Sequence, residues 1–240
     1  MNRLSSLVAS AAVLFPLAAT AATVSVDGRS NLFAAGQGAV SAPGGGGGGV
    51  LPPSVAFAAG AGKVLTFSSV VGLTDCCSGV PDMDADGSTN LIAAGTTVVG
   101  AANGISGITA PRQMFLAGVF LDDSVPAGAA PASLDFTGNT GFASLSPLLN
   151  QMFFIGDGLT GTGSGAVQSF LVPTGATRLF LGFADGFAFN GAHGFYDDNA
   201  GTLRATFEIS DGTTVVPVPA ALPLMLAGLG VFGLVARRRG

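Results

Sequence analysis

Charge and histidine are what this 240-residue sequence has least of: 10% of its residues are charged, and histidine occurs once, at His193. Ordinary cytosolic proteins carry about a quarter charged residues, so the deficit argues against a solvated cytoplasmic enzyme. One histidine removes most acid–base and nucleophilic schemes. No Gly-x-Ser-x-Gly elbow comes with a usable histidine, and the adjacent carboxylates of Asp122 and Asp123 would point to opposite sides of an extended chain. The sequence therefore reads as that of a protein that is not an enzyme. Nine basic residues against fourteen acidic ones exclude a nucleic-acid binder. Two cysteines and one remote histidine fall short of a four-ligand zinc site. Tryptophan is absent, and no Cys-x-x-Cys redox motif occurs.

What the chain does have is 48% apolar residues, 18 phenylalanines, 38 glycines and 13 prolines. That is enough apolar surface to offset chain entropy over most of the length, with turn formers to spare. Four basic residues lie at the ends, at Arg3, Arg237, Arg238 and Arg239, while all fourteen acids fall between Asp27 and Asp211. The body thus sets fourteen acidic residues against five basic ones. Such a field repels phosphate polymers and anionic lipid and draws divalent cations, or else serves dispersion alone.

Both ends read as addresses. Asn2-Arg3, an apolar run from Leu4 to Ala19 and the small-x-small site Ala19-Thr20-Ala21-Ala22 predict a signal peptide over residues 1–22. The expected partners are the Sec translocon and signal peptidase. At the other end, over 214–240, stand Val216-Pro217-Val218-Pro219, an uncharged stretch from Ala220 to Ala236 and Arg237-Arg238-Arg239. Seventeen residues of helix span roughly 25 Å, near the lower limit for a bilayer core, and the arginines hold that end in the cytoplasm. A transmembrane helix over 220–236 follows, with the body on the far side.

Pro-x-Pro, a short Leu/Ala/Gly-rich span and a terminal arginine cluster resemble the PEP-CTERM sorting signal, read by membrane proteases called exosortases in Gram-negative bacteria. Val218 stands where the commonest form has glutamate. The resemblance implies export across the inner membrane, transient anchoring there, cleavage near Pro217 and Pro219, and association with exopolysaccharide, biofilm or the cell surface. A plain C-terminal anchor fits the hydropathy equally well.

The body, 23–213, alternates with a period of two. In Thr202–Ser210, Leu203, Ala205, Phe207 and Ile209 alternate with polar residues, the pattern of a strand with one buried face. Further strands are expected over Lys63–Val71, Arg112–Leu121, Gln151–Ile155, Ala166–Val172 and Thr177–Ala184. The fold class is therefore all-β, an antiparallel sandwich of jelly-roll-like kind. Residues 43–49, with six consecutive glycines, predict a flexible loop.

Three clusters carry candidate chemistry. Asp185, Asp197, Asp198 and Asn199 concentrate oxygens on a Gly-rich loop, as Ca²⁺ requires, although Asp and Asn also simply cap turns. Asp82-x-Asp84-x-Asp86-Gly87 has the alternate oxygens and turn glycine of a second calcium loop, but lacks the closing glutamate and flanking helices. Cys76 and Cys77 are adjacent, so outside the cytoplasm they form a vicinal bridge or cross-link two chains. A solvent-exposed His193 without partners is the simplest reading of that side chain.

The segment from Asp185 through Gly-Phe-Tyr-Asp-Asp-Asn-Ala-Gly (194–201), preceded by Arg178–Ala184 and followed by an alternating strand, is similar to the galactose-binding-like β-sandwich of calcium-dependent galactophilic bacterial lectins. Phe115–Gly118 and Phe153–Gly156 extend the likeness. The resemblance implies calcium held by Asp185, Asp198 and Asn199 with backbone carbonyls, sugar hydroxyls completing its shell, and His193 and Tyr196 at the carbohydrate rim. Asp198 replaces an amide of the family pattern. Asn31–Gly36 likewise looks like the family's first sandwich strand. The function this implies is calcium-assisted binding of carbohydrate, such as exopolysaccharide; the competing reading is a structural matrix protein with no ligand site.

Overall fold

The computed structural model describes residues 21–77, 79–92 and 95–212. The apolar core of the expected signal peptide, Pro217, Pro219, the expected span 220–236 and Arg237–Arg239 lie outside the described residues. Among the described residues no helix is long and apolar enough to cross a membrane.

The described chain is all-β. Its strands in order are β1 (Ala22–Asp27), β2 (Ser54–Ala56), β3 (Lys63–Cys76), β4 (Thr97–Val99), β5 (Ile108–Ala110), β6 (Ala117–Leu121), β7 (Leu134–Asp135) and β8 (Ser144–Leu145). They continue as β9 (Met152–Phe154), β10 (Leu159–Gly161), β11 (Ser164–Val167), β12 (Ser169–Leu171), β13 (Arg178–Gly182), β14 (Asn190–Gly191) and β15 (Asn199–Asp211). Helix is confined to single 3-10 turns at Leu32–Ala34, Phe187–Phe189 and Tyr196–Asp198.

A five-stranded sheet runs β1-β15-β3-β12-β8, and a four-stranded antiparallel sheet runs β2-β13-β6-β9. A third sheet, β14-β4-β5-β7, and the hairpin β10-β11 complete the set. The alternation in the last strand does what it predicts: Leu203, Ala205 and Phe207 are buried while Thr202 and Arg204 are exposed. β15 pairs with β3 from Asn199 opposite Cys76 to Asp211 opposite Lys63, with one bulge between Thr206 and Phe207. The extra residue of that bulge is Ser68 of β3, which brings Phe67 opposite Phe207 with both rings buried.

Phenylalanine joins the five-stranded sheet to the antiparallel four-stranded one. Phe67 on β3 meets Phe170 on β12 at 6.0 Å between ring centroids, Phe170 meets Phe153 on β9 at 5.2 Å, and Phe153 stacks on Phe120 of β6 at 5.1 Å. Edge and offset ring contacts add to the burial of each ring.

Three expectations need correction. Asn31–Gly36 is not a strand: the Asn31 Oδ1 accepts from the Phe33 N–H at 2.9 Å and starts the 3-10 turn at Leu32–Ala34. Arg112–Leu121 is a strand only from Ala117, because Met114 is left-handed (φ 54°) and buried Gln113 spends its side chain on the backbone of Ile92 and Thr96. Ala166–Val172 divides at Gln168, whose buried amide donates to the carbonyls of Thr140 and Phe142. The two halves then join different sheets as β11 and β12.

The glycine run is a loop, but a tied one. Gly44 N–H donates to the His193 carbonyl, the Gly45 carbonyl accepts from Phe195 N–H, and the Gly47 carbonyl accepts from Tyr196 N–H. Asn31 Nδ2 donates to the Gly48 carbonyl at 3.0 Å. Residues 44–49 form a strap over the 193–197 segment, and glycine is what lets two backbones lie this close. A Cβ on Gly47 would stand 2.6 Å from the Asp197 Cβ.

Candidate functional site

The site forms where β3 ends and β15 begins, capped by the loop after β13. Asp185 follows that strand and is buried. Its backbone N–H donates to the Tyr196 Oη at 3.1 Å, and that hydroxyl donates to the Phe183 carbonyl at 3.1 Å. One carboxylate oxygen accepts from Gly186 N–H at 2.7 Å, the other from Asn199 Nδ2 at 2.8 Å. Asn199 Nδ2 also donates to the Gly28 carbonyl at 3.2 Å, while its Oδ1 is buried with no hydrogen-bond partner.

Among the described residues no cationic side chain answers this buried carboxylate. Burial pushes the Asp185 carboxyl up to about 7 against the hydrogen bonds from Asn199 and Gly186, and the charges of Asp198 and Asp197 push the same way. Burial, then Asp197, also raises the more exposed Asp198.

Cys76 and Cys77 are joined in a vicinal disulfide. Cys77 is left-handed (φ 80°), and its N–H donates to the Asp198 carbonyl at 3.1 Å. The two sulfurs and an Asp198 oxygen lie within 4.8 Å of one another, the one such cluster of three His, Cys, Asp or Glu ligand atoms among the described residues.

Asp185, Asp198, Cys76 and Cys77 line a cavity of about 310 Å³ whose other walls include Ile92, Phe187, Phe189 and Phe195. Phe187 is 69% exposed and lies 5.3 Å from Phe195 between ring centroids. Seven non-glycine residues among those described have positive φ: Cys77, Asn103, Met114, Asn150, Ala188, Phe189 and Phe195. Four of them, Cys77, Ala188, Phe189 and Phe195, line this cavity. Each such residue costs about 1–3 kcal/mol and persists where the surroundings dictate it, a pattern that concentrates at ligand sites.

The comparisons with known proteins reach the other end of the chain. Residues 215–239 match the PEP-CTERM protein-sorting motif. A PEP-CTERM motif marks an exported protein destined for the cell surface, with exosortase as its processing partner. No curated protein and no solved structure matches the chain. The likeness of the body to galactose-binding-like lectins therefore has no support from a relative or a solved structure.

Among the described residues the expected calcium set comes together in part. Asp185 and Asn199 touch, and Asp185 and Asp198 line the same cavity. The carbohydrate rim does not hold as expected, because both side chains assigned to it are buried. The Tyr196 hydroxyl is consumed between Phe183 and Asp185, and burial raises it well above its usual pKa. His193 stacks on Phe33 at 4.6 Å, so it is not the exposed loop histidine the sequence suggests. Neither His193 ring nitrogen has a partner, and burial pushes the imidazole down to about 4.

The second acidic loop separates. Asp82 and Asp84 line a surface cavity of about 400 Å³ with Ser88 and Asn90. Asp86 turns inward: its Oδ1 accepts from Asp157 N–H at 3.2 Å, and its Oδ2 is buried without a partner. Burial, reinforced by Asp157, pushes the Asp86 carboxyl up to about 6. The three carboxylates do not bring three oxygens within 4.8 Å. What sequence reasoning missed is the apolar side of the first site. Its signal was there, since Phe187, Phe189 and Phe195 crowd an otherwise Gly-, Asp- and Asn-rich loop.

Proposed function

We propose that this exosortase-sorted surface protein is a non-enzymatic carbohydrate-binding protein whose ligand sits in the cavity beside Asp185, with Ca²⁺ assisting. The observation that carries the reading is the coincidence, in one cavity, of a buried carboxylate without a cationic partner and four left-handed non-glycine residues. Asp185 and Asp198 supply hard oxygens to the cavity, and behind it the buried Asn199 Oδ1 lacks a partner and would have to turn toward Asp185 to join them. Bound there, calcium would neutralise the buried charge and take sugar hydroxyls into its shell. Asp82 and Asp84, in their own cavity, form a second, looser cation site in this reading. The fold proposed is a galactose-binding-like, jelly-roll-like β-sandwich. The route proposed is Sec export and signal-peptide removal, then anchoring in the inner membrane of a Gram-negative cell until the tail is cut.

One observation favours the structural-matrix reading instead: each Asp185 oxygen already accepts a hydrogen bond, as a purely structural staple would. Retention on immobilised exopolysaccharide separates the two. Retention in millimolar calcium that is lost with a chelator and in Asp185→Ala/Asn199→Ala supports the binding protein. Absence of retention in calcium favours the matrix component.

A further inference from the structure

The cavity has two chemically different sides. Among the described residues, the charged side chains lining it are Asp185 and Asp198, and the rest of its lining is Ile92, the phenylalanines at 187, 189 and 195, the Cys76–Cys77 disulfide and short Gly and Ala residues. A hexose carries hydroxyls around its whole ring and on C6. Those set against the phenylalanines would lose water without gaining a partner, and that is a strong basis for rejecting a ligand. At about 310 Å³ the space is at the small end of ligand cavities. Phe187 stays 69% exposed at its edge, apolar surface that a ligand would cover.

We infer that the cavity selects a 6-deoxyhexose, with ring hydroxyls toward Asp185 and Asp198 and the C6 methyl against the Phe187–Phe195 pair. This rests on the carbohydrate reading above and names its sugar class. The disulfide belongs to the polar side: both sulfurs lie within 4.8 Å of an Asp198 oxygen, and the Cys77 N–H donates to the Asp198 carbonyl. Linking Cys76 to its neighbour also fixes the turn that carries Cys77 into the wall.

The test is calorimetric titration of the full chain in lipid nanodiscs, in calcium, with two sugar pairs that differ only at C6: L-rhamnose against L-mannose, and L-fucose against L-galactose. The expected result is that the deoxy member of at least one pair binds about tenfold more tightly than its hydroxylated twin. Phe187→Ala should bring that ratio to about one with an unchanged near-ultraviolet circular dichroism spectrum. Binding in which neither deoxy sugar exceeds its twin overturns the inference and leaves the carbohydrate reading standing. No binding of any of the four sugars overturns the inference; if immobilised exopolysaccharide is also not retained, the carbohydrate reading falls with it.

Discussion

Asn199 donates its side-chain amide to the Asp185 carboxylate across 2.8 Å and to the Gly28 carbonyl at 3.2 Å, tying the first residue of β15 to the loop after β13 and to the turn after β1. Two acceptors thus converge on one nitrogen, while the oxygen of the same amide has no partner. The arrangement holds a carboxylate in the interior at an energetic cost that a proton or a cation would relieve.

That cost sets a pH dependence. The Asp185 pKa is raised from 3.8 to about 7 on folding, so its contribution to stability is full below about pH 4 and is lost as pH rises through 7. Asp185→Asn removes the loss, and its new amide can donate to the partnerless Asn199 Oδ1 once that group rotates. The variant should match the parent near pH 4 and melt higher at pH 8, by on the order of 3 kcal/mol. Calcium should raise the parent's melting temperature more at pH 8 than at pH 5, and leave Asp185→Asn little changed. A parent and variant with parallel melting curves across this range would remove the buried-charge account.

His193 gives the opposite slope. Its pKa falls from 6.5 to about 4 on folding, so stability is intact above pH 6.5 and declines as pH falls toward 4. His193→Phe keeps a ring against Phe33 and removes the titration. Relative to the parent it should gain about 2 kcal/mol between pH 6.5 and 4, read as the difference between the two denaturant midpoints. Because Asp185 and Asp86 gain stability over much the same interval, the parent shows only the net of opposing limbs there, and the variants are what separate them.

Much of the sheet was legible because alternation is a local signal. Leu203, Ala205 and Phe207 declare their buried face without reference to any other strand. The strand ends were not legible where one polar side chain decides them from a distance: Gln113 and Gln168 break their runs by bonding carbonyls that sequence cannot pair with them. Oxygen-rich residues marked Asp185 and Asn199, yet the burial of His193 depends on Phe33, 160 positions away, and nothing local announces it. The glycine run was read by composition alone. Its partner lies some 150 residues downstream, at Asp197.

That strap makes a steric prediction. Gly47 does not have positive φ, so alanine there is tolerable to the backbone, but its methyl would fall 2.6 Å from the Asp197 Cβ and 2.8 Å from the Cγ. Gly47→Ala should destabilise by about 1–3 kcal/mol, as overpacking does. Gly38→Ala, where nothing stands within 4 Å of the new methyl, should shift the melting temperature little. Equal melting of the two variants would mean the strap does not press on the site loop.

Asp86 separates a structural carboxylate from a metal ligand. Its Oδ1 is held by Asp157 N–H while its Oδ2 is buried and unpaired, and its pKa is raised from 3.8 to about 6. The sign is that of Asp185: stability present at low pH is lost as pH rises through 6. Asp86→Asn keeps the acceptor for Asp157 and removes the charge, so it should be more stable than the parent above pH 7, by about 1–2 kcal/mol, and equal to it near pH 4. If instead Asp86 joins Asp82 and Asp84 around a cation, the substitution should cost calcium-dependent stabilisation that Asp185→Asn retains. Melting Asp86→Asn and Asp185→Asn at pH 8 with and without calcium distinguishes the two. A calcium response lost at Asp86 and kept at Asp185 would move the ion to the acidic turn, whereas the inward course of the Asp86 side chain predicts the reverse.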